Sequence, residues 1–253
     1  MSRVTRHTDI WLVRHTQTDW NRERRYQSRS DRPLTAFGHA RVAAVADRLR
    51  RTSFSAVITS GQMRTDTLAE AVVAQQTRTP ALRCDERWRE ADHGDWEGLT
   101  YADVTRCYAA QAHARFADPW NSRAHGSEST ADLWGRVQAG WHDLLRRHDG
   151  GRILVVTHAT PIQLLLCGLL KLPFAQYWQF RIDLGGVTNL DLYPSGMITR
   201  VLNEVPPLQG ERELRTKNRE PKTENQEWKT RNKGTNEQEN KESNEQENKE
   251  MYD

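Results

Sequence analysis

The chain has 253 residues, of which 36% are hydrophobic, and it carries 37 Lys and Arg residues against 34 Asp and Glu residues. This length suits one domain with an appendage, and no apolar run reaches the ~20 residues that a membrane helix needs. The 3 cysteines form neither a close pair nor a zinc-ligand spacing, which predicts a cytoplasmic protein. The positive charge is too scattered to indicate nucleic acid, but converging arginines would suit a small anion.

Short apolar runs alternate with helical patterns along the first third of the chain. Residues 10–13 form a continuous apolar run, as expected of a strand that is buried on both faces. Apolar residues then recur at helical spacing over 42–49, after Thr35 as a helix cap. Residues 54–58 predict a second strand and 62–76 a second helix.

The rest of the body repeats this alternation after an irregular segment at 81–99. Helices are predicted over 100–117 and 130–148, and the most strand-like run of the chain follows at 153–156. Thr160 is expected to cap an apolar helix that starts at Pro161 and ends at Leu170. Two weaker strands, 188–193 and 197–204, follow with a tight turn between them. This alternation predicts an α/β domain with a mainly parallel central sheet.

The composition changes near Pro206. Residues 208–253 contain 22 charged residues and only 5 hydrophobic ones, and a seven-residue unit occurs there twice, at 236–242 and 244–250. Such a segment cannot bury enough apolar surface to offset its ordering entropy. We therefore predict a folded domain over residues 1–205 and a disordered, polar, low-complexity tail over 206–253. Residues 1–207 have a net charge of +5, and all but one of their basic residues are arginine.

Both of the most hydrophobic strands lead into a histidine. Residues 10–13 are followed by Arg14 and His15, and residues 153–156 by Thr157 and His158. Ligands of open α/β sheets bind at the carboxyl ends of the strands. If the two strands are neighbours, both histidines face one crevice, beside the N-terminus of the helix that follows His158. This arrangement predicts a phosphate or carboxylate site, although either histidine alone is more simply explained as a surface residue.

Six blocks of sequence carry a resemblance to a known family. The blocks are Leu12 to Thr18 with Asn21, Asp31 to Thr35 with Gly38, Ser60 to Thr67, Glu90 to Leu99, Gly126 to Ser129 with Arg136, and Val155 to His158. They resemble, in order, the histidine phosphatase superfamily in its phosphoglycerate mutase-like branch 1, and within it the broad-specificity and alpha-ribazole phosphatases. The resemblance covers residues 10–190 and implies a three-layer α/β/α fold.

The resemblance also implies roles for particular side chains. His15 is expected to be the nucleophile and to form a phosphohistidine, while Arg14, Arg64 and His158 hold the phosphoryl oxygens. Glu90 is expected to protonate the leaving oxygen and then to deprotonate the attacking water. The implied activity is hydrolysis of the phosphomonoester of a small metabolite, without a metal or a cofactor and without a nucleic-acid or membrane partner. A monomer and a homodimer fit the sequence equally well.

These roles agree with the physics of phosphoryl transfer. The transition state spreads charge over equatorial oxygens, so positioning and electrostatic stabilisation supply most of the catalysis. Arginine suits this task because its planar fork binds phosphate through two N–H groups and stays charged. The same arginines should lower the pKa of His15 and keep the attacking nitrogen free of a proton. Glu90 beside a phosphate dianion should be protonated, as a general acid requires.

Other positions are expected to shape the pocket. Asn21 and Gln27 are implied to add neutral hydrogen bonds to the phosphate, Gln27 as in the broad-specificity phosphatases. Thr16 and Ala159 replace two glycines of the family pattern, which affects the fit of the pocket more than its chemistry. Trp96 and Trp120 could line the leaving-group side, although aromatic residues more often belong to the core. His93 and His125 lie in segments that could rim the pocket, but they are expected to be solvated surface residues without a role.

Three rival functions fit less well. A cofactor-dependent phosphoglycerate mutase carries a long insertion between its acid glutamate and second histidine, whereas only 68 positions separate Glu90 from His158. A non-catalytic phosphate-binding or scaffold protein would not need the complete set of residues implied to do the chemistry, namely Arg14, His15, Arg64, Glu90 and His158. A cysteine phosphatase needs arginine six positions after a cysteine, which none of the three provides. Sugar phosphates, phosphoglycerate, phosphoserine and a cobalamin-pathway nucleotide all fit as substrates.

Overall fold

The computed structural model of the protein describes residues 7–208, and six strands in that range form one sheet. The strands are β1 (Thr8–Arg14), β2 (Ala56–Thr59), β3 (Ala81–Cys84), β4 (Arg152–Thr157), β5 (Val187–Tyr193) and β6 (Gly196–Glu204). The helices are α1 (Asp19–Arg22), α2 (Ala36–Leu49), α3 (Met63–Ala74), α4 (Tyr101–Cys107), α5 (Ala109–Ala117), α6 (Thr130–Arg147) and α7 (Ala159–Leu170). Within this range, no helix combines the length and apolar composition needed to cross a membrane.

The sheet is mainly parallel, as the sequence predicts. Its strand order is β3-β2-β4-β1-β5-β6, and β3, β2, β4 and β1 pair in parallel. The β5–β6 hairpin adds two antiparallel strands beside β1. Because β4 lies directly beside β1, with Thr157 opposite Arg14, the residues that follow these two strands emerge side by side.

Side chains of the central strands alternate between two hydrophobic layers, as the pleat of a strand requires. Ile10 and Leu12 pack on one face in a cluster with apolar residues of α6 and α7. Trp11 and Val13 pack on the other face with α2 and α3. Both faces of the inner strands are therefore buried, which explains their uninterrupted apolar sequence. The fold is a three-layer α/β/α sandwich.

Local details differ from the sequence expectation at three places. β3 lies in the segment predicted to be irregular, because its four residues are all exposed at the sheet edge and leave no periodic pattern. The helix predicted over 100–117 is broken at Tyr108, between α4 and α5. α7 begins at Ala159, with His158 rather than Thr160 in the capping position. Pro161 is tolerated because N–H groups in the first helical turn have no intrahelical partner.

The predicted tail, residues 206–253, lies outside the described residues from 209 onward and remains a prediction, as does the boundary after residue 205. The last described residues still contact the body, since the Arg41 guanidinium donates to the carbonyl of Pro206. Arg41 is buried under Gly185, whose φ of +75° allows the backbone to pass close to the arginine stem.

Candidate active site

Two buried histidines meet at the carboxyl ends of β1 and β4. The ring centroids of His15 and His158 lie 5.0 Å apart with a 59° tilt between the planes. The two residues are only 3% and 0% exposed, respectively. The expectation that their strands are neighbours is confirmed, and the shared crevice follows directly from that pairing.

The His15 ring is fixed by its own backbone. Its Nδ1 lies 2.8 Å from the carbonyl oxygen of Thr16. A carbonyl only accepts hydrogen bonds, so Nδ1 carries the proton and Nε2 keeps its lone pair. Burial lowers the pKa of His15 well below its ordinary value, and the charges of Arg64 and Arg14 lower this pKa further. The predicted effect of the arginines is confirmed, although burial is the larger cause.

His158 is oriented by Ser60, a residue for which no role was predicted. The Ser60 hydroxyl lies 2.8 Å from His158 Nε2, and it also lies 3.0 Å from the hydroxyl of Thr65, which donates to the Gln62 carbonyl. Because the Thr65 proton goes to the Gln62 carbonyl, we assign the Ser60 proton to the bond with Thr65, so that Ser60 accepts from His158 Nε2 and the Nδ1 lone pair of the neutral ring stays free. Burial, followed by the charge of Arg64, lowers the pKa of His158 well below its ordinary value.

Arg14 and Arg64 are held by uncharged oxygens. Arg14 Nη1 donates to the Ile182 carbonyl at 2.7 Å. Arg64 is fully buried and donates to the carbonyls of Ser28 and Ser30 at 2.9 and 3.1 Å. Burial lowers the pKa of Arg14 and lowers that of Arg64 to about 10, while the Glu90 carboxylate opposes both shifts. Both guanidiniums stay charged at neutral pH, so the site concentrates positive charge.

Several buried polar atoms of the site have no partner. Residues 7–208 contain eight buried side-chain nitrogen or oxygen atoms without a hydrogen bond, and four of them belong to this site. They are Arg14 Nε, Arg64 Nε, His158 Nδ1 and Thr16 Oγ1. Buried polar atoms in folded proteins nearly always have a partner. Arg14 Nε, Arg64 Nε and Thr16 Oγ1 can donate a hydrogen bond, as a site for an anion requires, and His158 Nδ1 can do so once its ring is protonated.

The segment that carries Glu90 is clamped by Arg136. The Arg136 guanidinium donates to the carbonyls of Arg87, Arg89 and Glu90 at 2.7–2.9 Å. Glu128 forms an ion pair with Arg136 and also accepts from the backbone N–H of Asp92 at 2.9 Å. The Glu90 side chain accepts from the N–H of Ala91 at 2.9 Å. Arg136 and Glu128 therefore fix the backbone on both sides of Glu90.

Glu97 plays a similar part for Arg64. Its carboxylate accepts from the backbone N–H of Ser28 at 2.9 Å and from that of Ser30 at 3.0 Å, as well as from the Ser28 hydroxyl. The carbonyls of the same two serines bind Arg64. Glu97 thus shapes the loop that positions the guanidinium. This contact joins residues that lie 67–69 positions apart in the chain and is visible only in the fold.

Asn21 and Gln27 meet at Thr18. The Asn21 side-chain oxygen accepts from the Thr18 N–H and hydroxyl, both at 3.0 Å, and so completes the capping box of α1. The Gln27 oxygen lies 2.7 Å from the same hydroxyl, and its amide nitrogen donates to the Ser30 carbonyl at 3.1 Å. Both side-chain oxygens therefore have protein partners, and only amide N–H groups could serve a phosphate.

The two departures from the family glycines do not strain the backbone. Positive φ angles outside glycine occur only at Arg24, Lys171 and Asn203 within residues 7–208. Thr16 and Ala159 therefore adopt conformations open to any L-residue. Thr16 is fully buried next to the nucleophile candidate, so its hydroxyl adds a polar group to the pocket wall.

The two tryptophans and two histidines considered for the rim of the pocket separate into two groups. Trp96 and His93 line a cavity beside the site. Trp120 stacks on Phe174 with ring centroids 4.8 Å apart, as part of the packing around α7. His125 is exposed and contacts the Asp95 carboxylate at 3.1 Å. Sequence position alone does not separate these pairs, because all four residues fall in similar loop segments.

Comparison with known proteins gives a consistent picture. Residues 10–205 match the sequence profile of the histidine phosphatase superfamily (branch 1). Phosphoserine phosphatase 1 of Hydrogenobacter thermophilus is 28% identical over 172 residues, which cover 68% of this chain and 81% of that protein. The alpha-ribazole phosphatase of Shigella flexneri superimposes with a TM-score of 0.72 at 27% identity, covering 78% of this chain and 96% of that chain.

A longer relative matches only in part. The bifunctional protein Rv2228c of Mycobacterium tuberculosis is 32% identical over 200 residues, which cover 78% of this chain. The match covers only 54% of that relative, so the chain spans about half the length of this protein.

Proposed function

Because the chain belongs to the histidine phosphatase superfamily (branch 1), we propose that it hydrolyses phosphomonoesters of small metabolites through a phosphohistidine on His15. The observation that carries this proposal is the environment of the buried His15 ring, which lies beside two arginines. Its Nδ1–H donates to the Thr16 carbonyl, and its Nε2 lone pair is free to attack. The relatives named as phosphatases support the same reaction class.

In the first step, Arg14, Arg64 and His158 bind the phosphoryl oxygens, and amide N–H groups of Asn21 and Gln27 supplement them. The unpartnered Nε donors of Arg14 and Arg64 support this assignment. His158 donates from Nδ1 when a bound phosphate dianion favours its protonated ring. The phosphoryl group moves to His15 Nε2 as its bond to the ester oxygen breaks. Fixed cationic donors stabilise the charge that spreads over the equatorial oxygens.

Glu90 moves the protons. In the first step it gives a proton to the leaving oxygen, so that the product departs as an alcohol. In the second step it accepts a proton from a water molecule that attacks the phosphorus, and the N–P bond breaks to release inorganic phosphate and the free imidazole. The backbone clamp of Arg136 supports this role because a general acid must be held within hydrogen-bond reach of the leaving oxygen. None of these steps requires a metal ion.

The experiment compares wild type with His15→Ala on an aryl phosphate in the presence of a chelator. We expect release of inorganic phosphate by wild type and a loss of at least ~10³-fold in kcat/KM for the variant, because no other side chain replaces the nucleophile. His39→Ala, which removes an exposed histidine of α2, is the matched control and should leave kcat/KM unchanged.

A label from ³²P-labelled substrate should stay on denatured wild type in alkali and be lost in acid, as a phosphohistidine requires. Undiminished turnover by His15→Ala would contradict the mechanism. Transfer of the phosphoryl group to a second hydroxyl without release of phosphate would instead identify a mutase. Loss of wild-type activity on adding the chelator would contradict the metal-independent route.

A further inference from the structure

A second chamber adjoins the proposed phosphate site. It has a volume of about 400 Å³, within the range of small-molecule sites. Six of its lining residues define its character: Tyr26, His93, Trp96, Arg115, Tyr177 and Trp178. We call this chamber the aromatic cavity. Four of these six side chains are Tyr or Trp, so its wall consists mainly of flat π-faces.

The backbone connects the aromatic cavity to the proposed site in three places. Tyr26 directly precedes Gln27, and His93 lies three residues after Glu90. Thr160, which also lines the cavity, lies two residues after His158. The Glu90 carboxylate acts electrostatically on His93, which places the general-acid candidate close to the cavity wall. The aromatic cavity is therefore lined by close neighbours of the residues proposed to bind the phosphate and to protonate the leaving oxygen.

The aromatic walls carry no charge at neutral pH. Tyr26 meets Trp96 with ring centroids 5.6 Å apart, and it meets His93 edge-on at 5.0 Å. Burial raises the pKa of Tyr26 and lowers the pKa of His93, so both rings are neutral. Such a surface favours a flat ring that stacks offset or edge-on against it.

Arg115 is the exception, and its charge is not matched by a carboxylate. It donates to the Ser122 carbonyl at 2.5 Å and to the Thr130 hydroxyl at 2.9 Å, both of which are uncharged. A guanidinium has five N–H donors, so these bonds leave three. Within residues 7–208, Asp118 interacts with Arg115 electrostatically but forms no ion pair with it, and no carboxylate lines the aromatic cavity.

A larger cavity, which Glu90 itself lines, differs from the aromatic cavity because its wall is charged rather than apolar. It has a volume of about 530 Å³ and is lined by arginines that already have carboxylate partners. Arg29 pairs with Asp92, and Arg136 pairs with Glu128. Carboxylates at this position repel an anionic substrate, and the paired arginines have little charge to offer. Of the two cavities, only the aromatic one therefore combines apolar faces with an available cation.

We propose that the aromatic cavity selects phosphomonoesters whose alcohol carries a flat aromatic ring bearing a carboxylate, with the ring between Tyr26, Trp96 and Trp178 and the carboxylate on Arg115. This inference rests on the proposed hydrolysis at His15 and names the substrate class of that site. Ring and carboxylate contribute separately, because stacking and charge pairing involve different side chains. The ester oxygen then lies towards Glu90.

Three substrates with similar alcohol leaving groups test the proposal: 4-carboxybenzyl phosphate, 4-methylbenzyl phosphate and ethyl phosphate. We expect kcat/KM to fall in that order, by about tenfold at each step, mainly through KM. Ethyl phosphate needs only the phosphate site. Failure of wild type to hydrolyse any of the three esters would therefore count against the proposed function itself. Equal kcat/KM for all three would overturn only the selectivity.

Two variants assign the selectivity to residues. Arg115→Gln should reduce kcat/KM for the carboxylated ester about tenfold, to the level of its methyl analogue, and leave the other two esters within twofold. Trp178→Ala removes a side chain that is 66% exposed, so its folding is not at risk. It should lower kcat/KM for both benzyl esters about fivefold and leave ethyl phosphate unchanged.

Phe37→Ala is the matched control, since Phe37 is an exposed aromatic residue of α2 that does not line the aromatic cavity. It should leave all three esters unaffected. If Arg115→Gln is poorly folded, Arg115→Lys keeps the charge and should retain the preference for the carboxylated ester. An equal loss on all three esters in the Arg115→Gln and Trp178→Ala variants would assign these residues to the scaffold and overturn the proposal.

Discussion

The two ends of β1 both bury charge, but they balance it differently. At the amino end, Asp9 is bound by Arg152 and by the Asn189 amide at 2.6 Å, while Asp191 of the neighbouring strand pairs with Arg200. Each buried carboxylate there has a cationic partner that reaches in from the surface. At the carboxyl end, the charges of the buried arginines face carbonyl oxygens instead.

This difference separates stability from function. A closed ion pair has its charge neutralised within the protein, and breaking it leaves an uncompensated buried charge. Within residues 7–208, Arg64 forms one ion pair, with the half-exposed Asp31 at 3.8 Å. The carboxylates of Glu90 and Glu97 act on it electrostatically without forming an ion pair. Carbonyl partners hold the guanidinium in place without cancelling its charge, so that charge remains available to a bound anion. The amino end of the sheet is built to stabilise the fold, and the carboxyl end to receive a ligand.

The largest expected effect comes from removing the available charge at the carboxyl end. Arg64→Met should lower kcat/KM by about 10³-fold, or roughly 4 kcal/mol of transition-state stabilisation, because two phosphoryl oxygens lose a cationic donor. Its free energy of unfolding should change by less than about 1 kcal/mol, since relief from burying the charge offsets the loss of two carbonyl bonds. Steady-state kinetics and urea unfolding measure the two quantities. A variant that is active but unstable would contradict the contrast between the ends.

Asp191→Asn tests the other end and should have the reverse profile. Asp191 is only 1% exposed, and its carboxylate accepts from Arg200 and lies 3.6 Å from His7. Its replacement by an amide removes a buried hydrogen-bond acceptor and should reduce the free energy of unfolding by about 2–3 kcal/mol. The folded variant should keep kcat/KM within twofold, because the pair lies at the opposite end of the strands from His15.

Asp47→Asn is the matched control for this variant. Its ion pair with Arg50 is exposed at the end of α2, so the free energy of unfolding should change by less than about 1 kcal/mol. If both Asp-to-Asn changes reduced the free energy of unfolding by a similar amount, the burial of Asp191 would add nothing to the stability that its ion pair provides.

The position of the candidate site at the carboxyl ends of β1 and β4 could be predicted from the sequence, because it depends on local patterns. Residues 10–13 of one strand and 153–156 of the other are uninterrupted apolar runs, and each run leads into its histidine two positions later. Strand pairing then brings His15 and His158 together without any further information. The Thr35 cap of α2 also forms as predicted, with its side chain accepting from the Gly38 N–H.

Contacts between distant segments could not be predicted in this way. Ser60 reaches His158 across 98 positions, and Glu97 reaches Ser28 across 69. The hydrogen bonds of Arg115 to the Ser122 carbonyl and the Thr130 hydroxyl, in place of an ion pair, likewise depend on three-dimensional packing. The exposed edge strand β3 left no periodic signal for a related reason, since no core face imposed one.

The smallest effect expected is a pH dependence of stability that originates at the carboxyl end. His15 and His158 have lowered pKa values in the folded protein, whereas the unfolded chain titrates near the ordinary value of about 6.5. Below that pH the two histidines bind protons in the unfolded chain but not in the folded protein. Their contribution to the free energy of unfolding is therefore fully present above pH ~6.5 and is lost as the pH falls. The two histidines together should remove about 2 kcal/mol between pH 6.5 and 5.5.

Urea unfolding across this pH range measures the effect on wild type and on the double variant His15→Gln/His158→Gln, whose stability should be flatter with pH. The matched control replaces two exposed histidines, His39 and His113, which are hydrated in both states. An unchanged slope in the first double variant would mean that the strand-end histidines are protonated in the folded protein. That result would contradict a free Nε2 lone pair on His15, because the same burial and the same arginines keep both rings neutral.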